Sequence, residues 1–191
     1  MSRLADSVRA SESERAERRP GDDVVASANV VMDRGFTAAA PVSDVFPWIE
    51  QLGKRRAGWY LTRRIELFLP RRGRALRKIE PAYLGLKPGD VIPDYGGRDE
   101  TFEVVSIERP NVLVYKSQRG RASATWSIVL RSGASDDETR VLLRLRMGPI
   151  KRVWLARSAG DLLDLLTIAG MAAGLGERLA GKGATAAEPS P

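Results

Sequence analysis

Apolar residues along this chain recur at helical spacing twice in its first half, alternate through its middle, and return to helical spacing near the C-terminus. Ala28 to Thr37 reads as a first strand, with Val30, Met32 and Phe36 on one side. Directly after it Val42, Val45, Phe46, Ile49 and Leu52 recur at steps of three and four, while Asp44, Glu50 and Gln51 fall elsewhere. That spacing predicts an amphipathic helix beginning near Ser43. Pro47 is tolerated there in or just after the first turn, or at a kink. Gly53 can take the left-handed conformation that ends a helix, and Lys54, Arg55 and Arg56 follow where the helix dipole favours cations. From Gly58 to Leu69 the residues Leu61, Ile65, Phe68 and Leu69 again take helical spacing, apart from Arg63, Arg64 and Glu66, which predicts a second short amphipathic helix stopped by Pro70. The stretch to Asp90 carries two more prolines and three glycines and reads as a wrapped connection, with Tyr83, Leu84 and Leu86 pinned to the body.

From Asp90 the period switches to two. Val91-Ile92 is a short strand, and Pro93 to Gly97 is a turn. Thr101 to Ile107 and Val112 to Ser117 are strands joined by Glu108-Arg109-Pro110-Asn111, a connection suited to a hairpin. Ala122, Ala124, Trp126, Ile128 and Leu130 then alternate with Ser123, Thr125, Ser127, Val129 and Arg131. In the next strand Val141, Leu143, Leu145 and Met147 alternate with Arg140, Arg144 and Arg146. Such strands make an antiparallel meander with one buried and one wet face. Ser158 with Asp161 three residues on resembles a helix start. Leu162, Leu163, Leu166, Ile168, Ala169, Ala172, Ala173, Leu175 and Leu179 then carry a long helix to about Leu179. Its glycines at 160, 170, 174 and 176 each cost about 0.8–1 kcal/mol relative to alanine, so close packing must compensate. Gly170 and Gly174, four apart, point to close approach of this helix to a sheet rather than to pairing in a membrane. The elements add up to an α+β fold: a curved antiparallel sheet around a long C-terminal helix, with two short helices after the first strand.

Composition narrows this picture. Residues 1–23 hold five arginines and six acids with little apolar content, so residues 1–27 are expected to be a disordered N-terminal tail and residues 181–191 a disordered C-terminal one, around a single domain at 28–180. No apolar run follows Met1, and the longest charge-free window near the C-terminus spans Leu165 to Gly176, too short for a bilayer, so a cytoplasmic protein is expected. Among 191 residues there is no cysteine and no histidine. Thiolate zinc sites, disulfides, histidine-dependent triads and nearly every zinc or non-haem iron site are therefore excluded, and any chemistry would fall to Asp, Glu, Tyr, Lys, Arg, Ser or Thr. No cofactor is implied and no metal ligand set is expected.

Several segments in order resemble a known family: Ala40-Pro41 with Val45-Phe46-Pro47-Trp48-Ile49, Arg56-Ala57-Gly58-Trp59-Tyr60, Pro81 and Tyr83 with Leu86-Lys87-Pro88-Gly89-Asp90, Trp126 on its strand, and Thr139-Arg140. Over residues 29–180 the chain resembles the START-like, or Bet v 1-like, superfamily in its SRPBCC branch of polyketide cyclase/dehydrase-like proteins. That resemblance implies a helix-grip fold whose sheet and C-terminal helix enclose a cavity for an apolar or aromatic small molecule, with cyclase or dehydratase chemistry in some members. It says less of chemistry than of fold.

The candidate ligand-binding residues are Arg56, Trp59, Tyr60, Tyr83 and Trp126. Aromatic rings offer large apolar area with a polar handle, Trp59 and Arg56 are expected at a cavity mouth, and ordinary core filling is the competing reading. No carboxylate pair at diagnostic spacing names a catalytic residue. Asp94, Asp99 and Glu100 around a glycine turn offer oxygen ligands to a hard cation, but their spacing matches no EF-hand loop and a polar hairpin tip explains them. Lys54 to Lys78 contains ten basic residues and one acid, Glu66, a net +9 in a chain of +7. Such a patch could meet an anionic lipid surface, a nucleic acid or a ligand phosphate, although arginine is frequent throughout, 25 against 6 lysines.

Overall fold

The computed structural model describes residues 2–185 apart from 96 and 98. In chain order it contains α1 (Ser2–Ser7), α2 (Glu12–Ala16), β1 (Val30–Ala38), α3 (Val42–Gln51), α4 (Arg63–Glu66), β2 (Val91–Pro93), β3 (Thr101–Glu108), β4 (Val112–Arg119), β5 (Ala122–Ser132), β6 (Thr139–Gly148), α5 (Val153–Leu155) and α6 (Asp161–Thr185). A π-helical turn, Ala156–Gly160, joins the last two. The strands form one antiparallel sheet in the order β1-β6-β5-β4-β3-β2, curved around α6. Strand positions follow the alternation closely: Trp126 lies opposite Tyr115 on β4 and Leu145 on β6, so three inward residues share a row.

The core lies between the concave face of this sheet, α3 and α6. Phe36, Val45, Phe46, Trp48, Ile49, Val104, Leu113, Ile128, Leu130, Val141 and Leu143 pack there against Ile168, Ala169, Met171, Leu175 and Leu179 of α6. By length and composition the helical run from Val153 to Gly181 could cross a membrane, yet here its inner face is committed to this core. Helix α6 does not begin at Ser158, whose hydroxyl donates back to the carbonyls of Trp154 and Leu155 rather than capping a first turn. Its first apolar residues differ from expectation too, because Leu162, Leu163 and Leu166 are exposed. Helical conformation continues through residues 181–185, and the rest of the expected C-terminal tail lies outside the described residues.

Three further expectations give way to buried charge. Of the expected N-terminal tail, the described residues 2–27 are not solvated chain. A bridge between Arg9 and Arg34 lays the segment along the β1 edge, and residues 12–28 then cross the outer face of the sheet, where a Cβ on Gly21 would lie 2.6 Å from Val114. Val8, Ala10 and Val25 are buried along it, and complementary charge fastens the rest. Arg144 of β6 reaches Asp22 at 2.9 Å and Asp33 at 2.7 Å, Arg19 reaches Asp33 at 3.4 Å, and Arg140 binds Glu14, whose carboxyl it pulls down to about 2. The supposedly wet face of β5 and β6 is thereby covered, and Val114, Val129 and Leu142 are buried beneath the strap.

The expected helix over 58–69 shrinks to Arg63–Glu66. The residue it buries is Glu66, which accepts from Arg178 at 2.6 Å and Arg77 at 2.8 Å. In α3, Glu50 and Gln51 belong to no wet face. Glu50 accepts from the backbone N–H groups of Gly85 and Leu86, both at 2.8 Å, and from Arg109. Gln51 accepts from the Glu80 N–H at 2.9 Å. These two side chains pin the wrapped 80–86 connection, and their own burial is affordable because each is fully hydrogen-bonded.

Gly170 and Gly174 do serve close approach, but to the extended Trp59–Leu61 segment rather than to a strand. A Cβ at Gly174 would stand 2.6 Å from the Leu61 backbone nitrogen and carbonyl carbon, whereas one at Gly176 would meet nothing within 4 Å. Gly174→Ala is therefore expected to cost roughly 1–3 kcal/mol or more through overpacking, and Gly176→Ala to gain roughly 0.5–1 kcal/mol through helix propensity and a less flexible unfolded chain. Chemical denaturation of the two variants beside the parent measures both; equal effects at the two positions would contradict the crossing.

Candidate functional site

Between the concave sheet, the turn after β2 and the first half of α6 lies a pocket of about 500 Å3. Its wall is aromatic because inward positions of successive strands place their rings side by side. Phe102 on β3 lies 5.5 Å from Tyr115 on β4 and 6.0 Å from Trp126 on β5, and Tyr115 lies 6.1 Å from Trp126. Trp59 stacks on Trp126 at 6.1 Å and 25°, and Tyr95 meets Trp59 edge-on at 5.9 Å. Centroid spacings of this size are those at which aromatic pairs attract, by about 0.5–1.5 kcal/mol each beyond their area. Met32, Leu145, Met147 and Ile168 supply aliphatic surface around the same space.

Trp59 stands where it does because α6 holds both its ring and the backbone of Leu61 two residues on. Its indole Nε1 donates to the Thr167 carbonyl at 3.2 Å, while the Thr167 hydroxyl turns back to the Leu163 carbonyl. Arg178 donates to the carbonyls of Leu61, Gly174 and Leu76.

Polar groups reach this apolar space at two places. Asp94, buried beside Tyr95, is gripped by Arg119 from the end of β4, and the Arg119 guanidinium also lies 5.7 Å from the centre of the Phe102 ring. The Asp94 and Gly97 carbonyls accept from the Lys54 ammonium at 3.1 and 2.6 Å, which shapes the turn. Asp94 thus faces a guanidinium, and its backbone N–H donates to the Glu100 carbonyl. On α6, Asp164 lines the pocket and is paired at 2.9 Å with Arg34 of β1, which also binds Asp161 at 2.5 Å. Burial pushes the Asp164 carboxyl up to about 6, against the opposing pull of Arg34, with the Asp161 charge adding to the rise. Burial likewise raises the Tyr115 and Tyr95 phenols above the ordinary tyrosine range, which keeps the wall uncharged.

Of the residues singled out from the sequence, the structure brings Trp59 and Trp126 together in this pocket and sends three elsewhere. Tyr60 is wholly buried in the core, donating to the Trp48 carbonyl at 2.8 Å and accepting from Gln51 at 3.0 Å, with Arg178 4.6 Å above its ring. Successive residues of an extended segment point to opposite sides, so one of Trp59 and Tyr60 had to leave the pocket. Arg56 does not guard the mouth. Its guanidinium donates to the carbonyls of Glu50 and Tyr83 and lies 5.3 Å from the Tyr83 ring, so both residues fasten the 80–86 connection to the end of α3. Phe102, Tyr115, Tyr95, Arg119 and Asp164 belong to the pocket but escaped the sequence. Strand parity carried a signal for Phe102 and Tyr115; nothing local marked Asp164, whose partner lies 130 residues away.

No protein-family model and no curated protein matches the chain. Solved structures do resemble it. A hypothetical protein of Helicobacter pylori is 12% identical with a TM-score of 0.50, over 83% of this chain and 92% of that one. CalU16 from Micromonospora echinospora is 16% identical with a TM-score of 0.45, over 81% of this chain and 86% of its own. DynU16, a protein of the dynemicin biosynthetic locus, is 15% identical with a TM-score of 0.43, over 82% of this chain and 48% of its own. At these identities the likeness is one of fold: an α+β helix-grip architecture, with a curved antiparallel sheet closing on a long C-terminal helix.

The pH dependence of stability tests the Asp164 environment. A carboxyl whose pKa is raised on folding binds its proton more tightly in the folded state, so its contribution is greatest below the unfolded value near 4 and is lost as pH rises through about 6. Between those limits the stability of the parent should fall, by an amount on the order of 2 kcal/mol, relative to Asp164→Asn. Glu14 acts oppositely and at lower pH, its stabilisation being lost as pH falls toward about 2, and it cancels in the comparison. A flat difference between parent and variant from pH 4 to 7 would show that Asp164 is not desolvated.

Proposed function

We propose that this protein binds an apolar, ring-containing small molecule in the pocket between its sheet and α6. The observation that carries the reading is the composition of the pocket: a connected cluster of five aromatic rings faces aliphatic side chains, and among the described residues the charged groups lining it are Asp94, paired with Arg119, and Asp164, paired from behind with Arg34. A volume of about 500 Å3 falls within the roughly 300–1,000 Å3 of small-molecule sites, which are likewise mostly apolar with few polar groups. The START-like resemblance of the sequence supports the same reading, since that family is built around such a cavity. Rings of the ligand would lie along Trp126 and Trp59, and a carbonyl or carboxylate on it would meet Arg119, whose planar guanidinium suits oxygen acceptors.

A second reading, acid–base chemistry on a polyketide-like substrate in the manner of a cyclase or dehydratase, is favoured by Asp164. A pocket carboxyl poised at about 6 exchanges protons near neutral pH. It would share the same bound state, and loss of turnover with retained affinity in Asp164→Asn would distinguish it from binding alone.

Calorimetric titration with 2-ethylnaphthalene and 2-naphthoate tests the binding reading. Both should bind saturably, and Trp126→Ala should weaken both at least tenfold in a variant whose thermal transition remains cooperative. Trp126→Phe should retain most of the affinity. The paired change Asp94→Asn with Arg119→Met, which leaves no lone buried charge, should weaken only 2-naphthoate. Absence of saturable binding by either compound, or binding indifferent to Trp126→Ala, would overturn the reading.

A further inference from the structure

The short turn that fails to become a helix leaves a surface of distinctive character. Phe68 is 91% exposed, Leu67 63% and Ile65 47%. Scattered exposed apolar residues are ordinary, but three large ones within four positions, on a projecting turn, make a patch. Its cause is internal: Glu66 is drawn inward by Arg178 and Arg77, so the residues flanking it on α4 and in the turn after it are held outward. The Arg74 side chain folds back onto the carbonyls of Leu67 and Leu69 and stiffens the turn.

Around this apolar tip stand Arg63, Arg64, Arg71, Arg72 and Arg74, all exposed. Elsewhere the chain matches arginine to acid with some consistency, as at Arg34, Arg109, Arg119, Arg131, Arg140 and Arg144. Locally the two acids, Glu66 and Glu177, are engaged by Arg77 and Arg178, and the five arginines at the tip have no carboxylate within ion-pair distance among the described residues. Residues 54–78 carry +9 while the remainder of the chain is −2. At the tip itself, exposed arginines without a carboxylate partner therefore stand beside side chains that gain by leaving water.

We propose that the Ile65–Phe68 tip docks this protein on an anionic phospholipid surface, with Phe68 and Leu67 entering the boundary between headgroups and acyl chains and the arginines meeting lipid phosphates. Apolar insertion and basic attraction are the two signals that reversible membrane association requires together. A nucleic acid fits less well: it would take up the arginines and one face of Phe68 but leave Leu67 and Ile65 in water. This docking surface is set by α4 and the turn after it and makes no use of the pocket.

Vesicle co-sedimentation of the full chain tests it, with vesicles of phosphatidylcholine alone and of phosphatidylcholine with one third phosphatidylserine. Binding is expected to the second only and to weaken steeply with salt. Leu67→Ser with Phe68→Ser should lower the partition coefficient at least tenfold. Arg71→Gln with Arg72→Gln should lower it by about fivefold per arginine and flatten its salt dependence. Both pairs are exposed, and an unchanged circular dichroism spectrum and thermal midpoint verify folding. Three results would overturn the proposal: no binding to the phosphatidylserine vesicles at low salt, binding unaffected by the Leu67 and Phe68 changes, or tighter binding to single-stranded DNA that displaces the protein from vesicles.

Discussion

Helix α6 and the extended Trp59–Leu61 segment touch backbone to backbone, and the pocket depends on that contact. Only a residue without a side chain permits it at Gly174, where any Cβ would enter the Leu61 main chain. Once the segment lies against the helix, its carbonyl at Leu61 can be taken by Arg178 and the indole of Trp59 can reach Thr167. Alternation along the segment then decides the rest: Trp59 is delivered to the pocket, Tyr60 to the core. A helix with ordinary side chains at Gly170 and Gly174 would push the segment outward and separate Trp59 from Trp126, leaving the aromatic wall incomplete.

Hydrophobic burial alone does not organise this fold. Much of what surrounds the sheet is fastened by charge placed in low-dielectric surroundings and paired there. Glu66 with Arg178 and Arg77 holds the crossing; Glu50 with Arg109 and two backbone N–H groups holds the 80–86 connection; Arg144 with Asp22 and Asp33 holds the N-terminal strap. Breaking one partner of such a pair leaves an uncompensated buried charge, so these contacts specify position even where their net contribution to stability is small.

That reliance on buried charge explains what the sequence disclosed and what it hid. Strands β3 to β6 were legible because period-two alternation in long runs has few rivals, and α3 because its apolar stripe is intact. Hydrophobic periodicity misreads any stretch in which a carboxylate is the buried residue, and this happened at Glu66, at Glu50 and along residues 1–27. For the same reason Ile65, Phe68 and Leu163 pass for core residues in the sequence and stand exposed in the fold. In the pocket, Trp126 was legible from strand parity, and Trp59 from its place beside a glycine turn. Tyr60 could be separated from Trp59 only once the segment was known to be extended rather than helical. Arg56 looked like an anion anchor, but the carbonyls at the end of α3 claimed it first. Asp164 was invisible, because what makes it unusual is Arg34 and an apolar pocket rather than any neighbour in sequence.

The placement of a ligand between the aromatic wall and α6 is most directly tested by crystallographic location of a heavy atom. Crystals grown with 2-bromonaphthalene should show one anomalous bromine peak inside the pocket, within van der Waals contact of Trp126 or Trp59 on one side and of Met32, Leu163 or Ile168 on the other. A bromine peak confined to the outer surface, with the rings of Trp59 and Trp126 collapsed into the space between them and the helix, would contradict the account.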